Sequence, residues 1–145
     1  MRVMSPAAGE GPPSSSEQTL TEQAIFDQSV AGLSRQGRPS QAMIEGRVAC
    51  AYRGTGGRRC AVGLVITDAE YHPRMEGLKI IQVSLDGLLP RRLTRFLPLL
   101  EDLQAAHDGW PQHGRAWFKR RLEAIAAFRK LDRSALDHAF AGVLA

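Results

Sequence analysis

The chain has 145 residues, of which 43% are hydrophobic, 23% charged and only 6% aromatic, with a formal charge of +4. That length suits one domain, no apolar run reaches the roughly 18 residues a membrane span needs, and the N-terminus lacks the basic start and apolar stretch of a secretory signal. Two cysteines make no disulfide framework, so the expectation is a cytoplasmic protein that needs no cofactor and sits on no membrane.

Residues 1–18 are small and rich in Pro, Gly and Ser. They bury too little to offset backbone ordering, which predicts a disordered tail ahead of a single globular domain over residues 19–145. Thr19-x-x-Glu22 reads as a capping box. Ile25, Phe26, Val30 and Leu33 follow at helical spacing, and Gly37 and Pro39 end a helix over residues 20–36. Two short apolar runs, residues 48–52 and 60–66, flank a loop with three glycines (residues 53–59), which predicts a β-hairpin turning there. The run from Cys60 to Leu64 also suits the opening of a buried helix.

Thr67-x-x-Glu70 is a second capping box, for a single turn stopped by Pro73. Residues 78–85 fit a strand or a helix. Pro98 suits the first turn of a helix carrying Leu99, Leu100, Leu103 and His107, closed by Gly109 and Pro111. Residues 115–130 form the strongest later helix, with Trp117, Phe118, Leu122, Ile125 and Phe128 as its apolar stripe. Ser134-x-x-Asp137 caps a last helix bearing Leu136, Phe140 and Leu144. The expected fold class is mainly α: a small single-domain helical protein with a short β-hairpin inserted near the middle.

Residues 1–90 carry nine basic and nine acidic side chains, whereas residues 91–133 carry ten basic and five acidic, so the excess lies in the C-terminal half. Sixteen of the nineteen cations are Arg, the residue suited to bidentate contacts with phosphate or carboxylate. On the 115–130 helix, Lys119, Arg120 and Lys130, with Arg133 beyond it, offer an outward basic patch for phosphates. Arg121 and Arg129 fall within or beside the apolar arc and are expected to snorkel, or to pair with Asp102 or Glu101.

In the 53–59 loop, glycines beside Arg53, Arg58 and Arg59 would present N–H groups and guanidinium forks to an anion, although a Gly-rich turn is more often a solvated hairpin. The loop is neither a P-loop nor a dinucleotide fingerprint. Cys50 and Cys60 flank it with three readings open: buried reduced thiols, a disulfide, or half a zinc site completed by His72 or His107. A cysteine nucleophile would need His72 as its base. The acidic residues Asp68, Glu70 and Glu76 suit acid–base work or a hard cation, but capping already accounts for the first two. No catalytic or metal-ligating set stands out.

The stretch Cys50-Ala51-Tyr52-Arg53-Gly54, Cys60-Ala61-Val62-Gly63-Leu64 and Glu70-Tyr71-His72-Pro73 through Met75-Glu76-Gly77 resembles a family of small uncharacterised phage, prophage and bacterial proteins. The likeness spans residues 19–131 and includes Leu97 to Asp108. It implies a non-enzymatic accessory protein that binds a host protein or nucleic acid. In one version the motif is scaffolding, with Arg53 paired to Glu70 or Glu76. In the other, Arg53, Arg58, Arg59, Tyr71 and Glu76 line one concave site, with the loop's guanidinium groups pointing outward together. The alternatives are a basic nucleic-acid-associated protein using Lys119, Arg120, Lys130 and Arg133, and, third, a small nucleotide-handling or hydrolytic enzyme.

Overall fold

A computed structural model describes residues 20–143; the expected tail over residues 1–18, Thr19 of the first capping box and Leu144 lie outside them. Helix α1 (Glu22–Gln36) is capped by Thr21, whose hydroxyl accepts the Ala24 N–H at 3.0 Å, and it ends at Gly37, whose N–H returns to the Leu33 carbonyl. Its buried face holds the expected Ile25, Phe26, Val30 and Leu33.

The protein is mainly α with one two-stranded antiparallel hairpin, but the hairpin's partner strand is not the expected one. Strand β1 (Gln41–Ile44) pairs with β2 (Arg47–Cys50), with Gln41 opposite Cys50 and Ile44 opposite Arg47. The turn is Glu45-Gly46, both at positive φ (51° and 80°), which is the tight two-residue reversal that matches strand twist. The 53–59 loop does fold back, through a single Arg53–Arg59 bridge around a short turn at Thr55–Gly57. It does not continue into a strand, because the Gln36 side chain takes both backbone groups of Arg59: Gln36 Nε2 donates to its carbonyl at 3.0 Å and its N–H donates to Gln36 Oε1 at 2.7 Å. Residues 60–66 instead run in successive turns, with the N–H groups of Leu64 and Ile66 reaching the Cys60 and Val62 carbonyls, while side chains take the rest: Ser29 bonds the Ala61 carbonyl, Gln28 that of Leu64, Arg92 that of Val65, and Arg53 those of Gly63 and Ile66.

The Thr67–Glu70 box forms as expected, with reciprocal bonds of 2.9 and 3.1 Å. Residues 78–85 resolve as a short helix, α2 (Ile80–Leu85), reached through a turn at Pro73–Met75. After a 3₁₀ stretch at Arg91–Phe96 comes α3 (Leu97–His113), which runs through Gly109 and Pro111 rather than stopping there. Pro111 lies in its last turn, and the Trp117 ring packs where a Gly109 side chain would be. Gly114 separates α3 from α4 (Arg115–Arg129).

These two long helices form the centre of the core. Trp110 stacks on Phe118 with ring centroids 4.3 Å apart, and Phe118 meets Phe140 edge-on. The buried arc of α4 is Phe118, Leu122, Ile125 and Ala126. Phe128 stands about 100° round the helix from its centre and is 81% exposed, so it is not in the stripe expected for it. Arg129 does pair as expected, with Nη1 2.8 Å from Asp102 and Nε 3.5 Å from Glu22, while Arg121 lies over Trp117. The last helix, α5 (Ser134–Ala139), is entered through Asp132, whose carboxylate accepts the Ser134 N–H; Asp137, the expected capping partner, bonds Arg133 instead. No helix among the described residues is long and apolar enough to cross a membrane.

Candidate functional site

Glu76 organises the motif segment. Its Oε1 accepts the Tyr52 N–H at 3.0 Å, and its Oε2 accepts the Arg53 N–H at 3.0 Å and the Tyr71 hydroxyl at 2.7 Å. Tyr52 in turn donates its hydroxyl to the Leu78 carbonyl at 2.7 Å. The Arg53 guanidinium turns inward: it donates to the carbonyls of Gly63 (2.8 Å) and Ile66 (3.2 Å), pairs with Asp68 at 3.0 Å, and lies over the Tyr71 ring. The expected partners of Arg53, Glu70 and Glu76, are thus replaced by Asp68. Glu76 meets only its backbone, and Glu70 is held by Arg92 at 2.8 Å, which keeps its carboxyl below the ordinary range. Burial and the Glu76 carboxylate push the Tyr71 phenol up to about 12.

The loop's guanidinium groups therefore do not all point outward together. Arg53 is internal, Arg59 shares Asp68 with it at 2.9 Å while keeping a third of its side chain exposed, and Arg58 makes no ion pair among the described residues. The Gln36 tie brings the end of α1 against this loop, and with it the exposed Arg35 and Arg38, which likewise have no ion pair among the described residues. Arg115 joins them through the Gly37 carbonyl at 3.5 Å. Sequence reasoning passed over Arg35 and Arg38. Their signal was their position astride a helix stop, but nothing local indicates which loop lies against it.

Cys50 does not meet Cys60; both are free. Cys60 is fully buried and its sulfur accepts the Gly63 N–H, whereas Cys50 lies beside His107 and Asp108, the donor atoms of the three within 4.8 Å of one another. His72, the other expected ligand or base, is exposed, and its Nδ1 accepts the Arg74 N–H. The imidazole of His107 is fully committed. The Ser40 backbone N–H can only donate, so His107 Nε2 (2.9 Å away) must accept, and the ring proton sits on Nδ1 facing Asp108 at 3.0 Å. A metal would need the Nδ1 lone pair, and a cysteine nucleophile would need a free base; this ring supplies neither. Burial first, then the Asp108 charge, pushes the Cys50 thiol up to about 12, and burial does the same for Cys60. Both thiols are expected to react with iodoacetamide at pH 8 at least about tenfold more slowly than in urea-unfolded chain, followed by mass spectrometry; a fast-reacting Cys50 would contradict this geometry.

Between α2 and α3 lies a cleft of about 460 Å³ lined by Lys79, Ile80, Ile81, Glu101, Gln104, Ala105, Asp108 and Gly109. A second cavity of about 290 Å³ adjoins it at Lys79, Gln104 and Asp108 and reaches Cys50, Tyr52 and Gly77. Gln104 closes its floor, accepting the Val62 N–H and donating to Asp108 at 3.0 Å.

On the C-terminal helix, two of the four basic residues singled out by sequence are committed internally. Lys119 donates to the Val143 carbonyl at 2.9 Å, and Arg133 is shared between Glu123 and Asp137. Arg120 and Lys130 are exposed.

Together these features define a small mainly-α protein whose hairpin and arginine loop are pinned to the helices by one glutamate and one glutamine. No protein-family model matches the chain, and neither the curated proteins nor the solved structures give a match.

Proposed function

We propose that this chain is a non-enzymatic binding protein, an accessory of the phage or prophage type its motif resembles, that engages an acidic surface of a host protein through the 53–59 loop. The observation that carries the reading is a group of cations around the Gln36 tie that form no ion pair among the described residues: Arg58 on the loop, with Arg35 in the last turn of α1 and Arg38 just beyond it. Guanidinium forks held on a pinned backbone suit carboxylates. Arg53, Tyr71 and Glu76 act as the frame that presents them, and Arg59 forms the edge of the surface. The carboxylate of Asp68, 77% exposed beside these cations, disfavours a continuous phosphate track and favours a discrete acidic partner. The committed His107 ring also supports binding over catalysis.

The test is fluorescence anisotropy with a labelled oligoglutamate peptide and, in parallel, a labelled DNA duplex. The peptide is expected to bind, and Arg58→Glu to weaken it at least about tenfold with no change in thermal midpoint. A preference for the duplex, with a steep salt dependence and sensitivity to Lys119→Glu or Lys130→Glu, would replace this reading with the nucleic-acid one. Binding to neither probe would overturn it.

A further inference from the structure

We infer that the cleft between α2 and α3 binds a small zwitterion, a free α-amino acid with a branched aliphatic side chain, its ammonium on Asp108 and its carboxylate on Lys79. Three observations converge. First, Lys79 and Asp108 line both adjoining cavities, yet they form no ion pair. Opposite charges that share a cleft without meeting leave room for a ligand carrying the complementary pair.

Second, the Asp108 carboxylate is held but not neutralised. Its Oδ1 receives the His107 Nδ1–H and the Gln104 Nε2–H, both at 3.0 Å. Every one of these donors is uncharged, because Ser40 fixes His107 as the neutral ring. The carboxylate is thus oriented by its neighbours while its charge remains for a cation to satisfy. Glu101, one of the cleft's exposed lining residues and without an ion pair among the described residues, adds negative charge to the cleft and so favours a cationic group in the ligand.

Third, the remaining wall is apolar: Ile80, Ile81, Ala105 and Gly109. Ile81 keeps 39% of its surface exposed there, a position that an aliphatic side chain would cover. A cavity of about 460 Å³ is within the range of small-molecule sites. The site shares no residue with the arginine loop, so it stands or falls apart from that function.

The experiment is a two-dimensional amide NMR titration of the full chain with L-leucine, N-acetyl-L-leucine and L-leucinamide. L-leucine is expected to shift the amides of residues 79–81 and 104–109. The acetylated form lacks the ammonium and the amide lacks the carboxylate, so each is expected to bind at least about tenfold more weakly. Lys79→Met, at an exposed side chain with no bond of its own, is expected to abolish the preference for L-leucine over leucinamide. Asp108→Asn is expected to abolish the preference over N-acetyl-L-leucine. Equal binding of the three compounds, no shifts at millimolar L-leucine, retention of the preference over leucinamide in Lys79→Met, or retention of the preference over N-acetyl-L-leucine in Asp108→Asn would each overturn the assignment.

Discussion

Replacing Glu76 by Gln is expected to destabilise the protein by about 2–4 kcal/mol, even though the two side chains have the same shape. The reason is that both carboxylate oxygens accept bonds from fixed donors: Oε1 from the Tyr52 N–H, Oε2 from the Arg53 N–H and the Tyr71 hydroxyl. An amide offers one acceptor and one donor, so either orientation sets an NH₂ against a backbone N–H. Tyr52 is only 4% exposed, so the N–H left without a partner has little access to water. For a domain of this size each kcal/mol moves the melting midpoint by roughly 4 °C, giving a fall of about 10 °C in a thermal scan. Tyr71→Phe, which removes one hydroxyl and leaves both backbone bonds, is expected to cost about 1 kcal/mol. A Glu76→Gln midpoint within a degree or two of wild type would show that the motif is not pinned this way.

Gly63→Ala is expected to cost about 3 kcal/mol, at the upper end of what one added methyl inflicts on a packed interior. The added carbon would fall inside contact distance of the Tyr52 carbonyl oxygen and lie 3.2 Å from both Arg53 Nη1 and the Cys60 nitrogen. None of these can easily retreat: Arg53 Nη1 is bonded to the Gly63 carbonyl itself, and the backbone at Tyr52 is anchored to Glu76. Separating the two segments would therefore open the arginine clamp as well. Gly57 gives the control, since its φ of 77° is left-handed but a side chain there meets nothing within 4 Å; Gly57→Ala is expected to cost about 1 kcal/mol. Urea unfolding of the two variants measures the order. If Gly57→Ala proved the more damaging, close packing at Gly63 would not be what holds the loop.

That contrast shows how far the residues can be read one stretch at a time. The glycines at 54, 56 and 57 mark a reversal, and the reversal is there, yet the tight hairpin turn is at Glu45-Gly46. Its own local signal, a two-residue turn between short β-prone stretches, was overshadowed by the longer Gly-rich loop. Cys50 and Cys60 flank that loop, so one expectation is that they face each other across it. Cys50 instead faces Asp108 from another part of the chain. Of the binding residues singled out, Arg53, Tyr71 and Glu76 form one bonded group, although Arg53 turns inward, and Arg58 and Arg59 are both half-buried. Lys79 and Asp108 carried no signal at all, since nothing local shows that two ordinary charged side chains share a cleft.

By itself the sequence determined the mainly α architecture: the extent of α1, the long C-terminal helices and the reciprocal Thr67–Glu70 cap. Caps and the 3.6-residue period act between neighbours, so a short window contains them whole. Only the tertiary structure decided that residues 60–66 do not pair as a strand, which way Arg53 turns and which tautomer His107 adopts. Those follow from Gln36 reaching Arg59 across 23 residues, Glu76 reaching Tyr52 across 24, and Ser40 reaching His107 across 67. A buried polar group takes the partner that folding brings to it, and sequence distance does not record which one arrives.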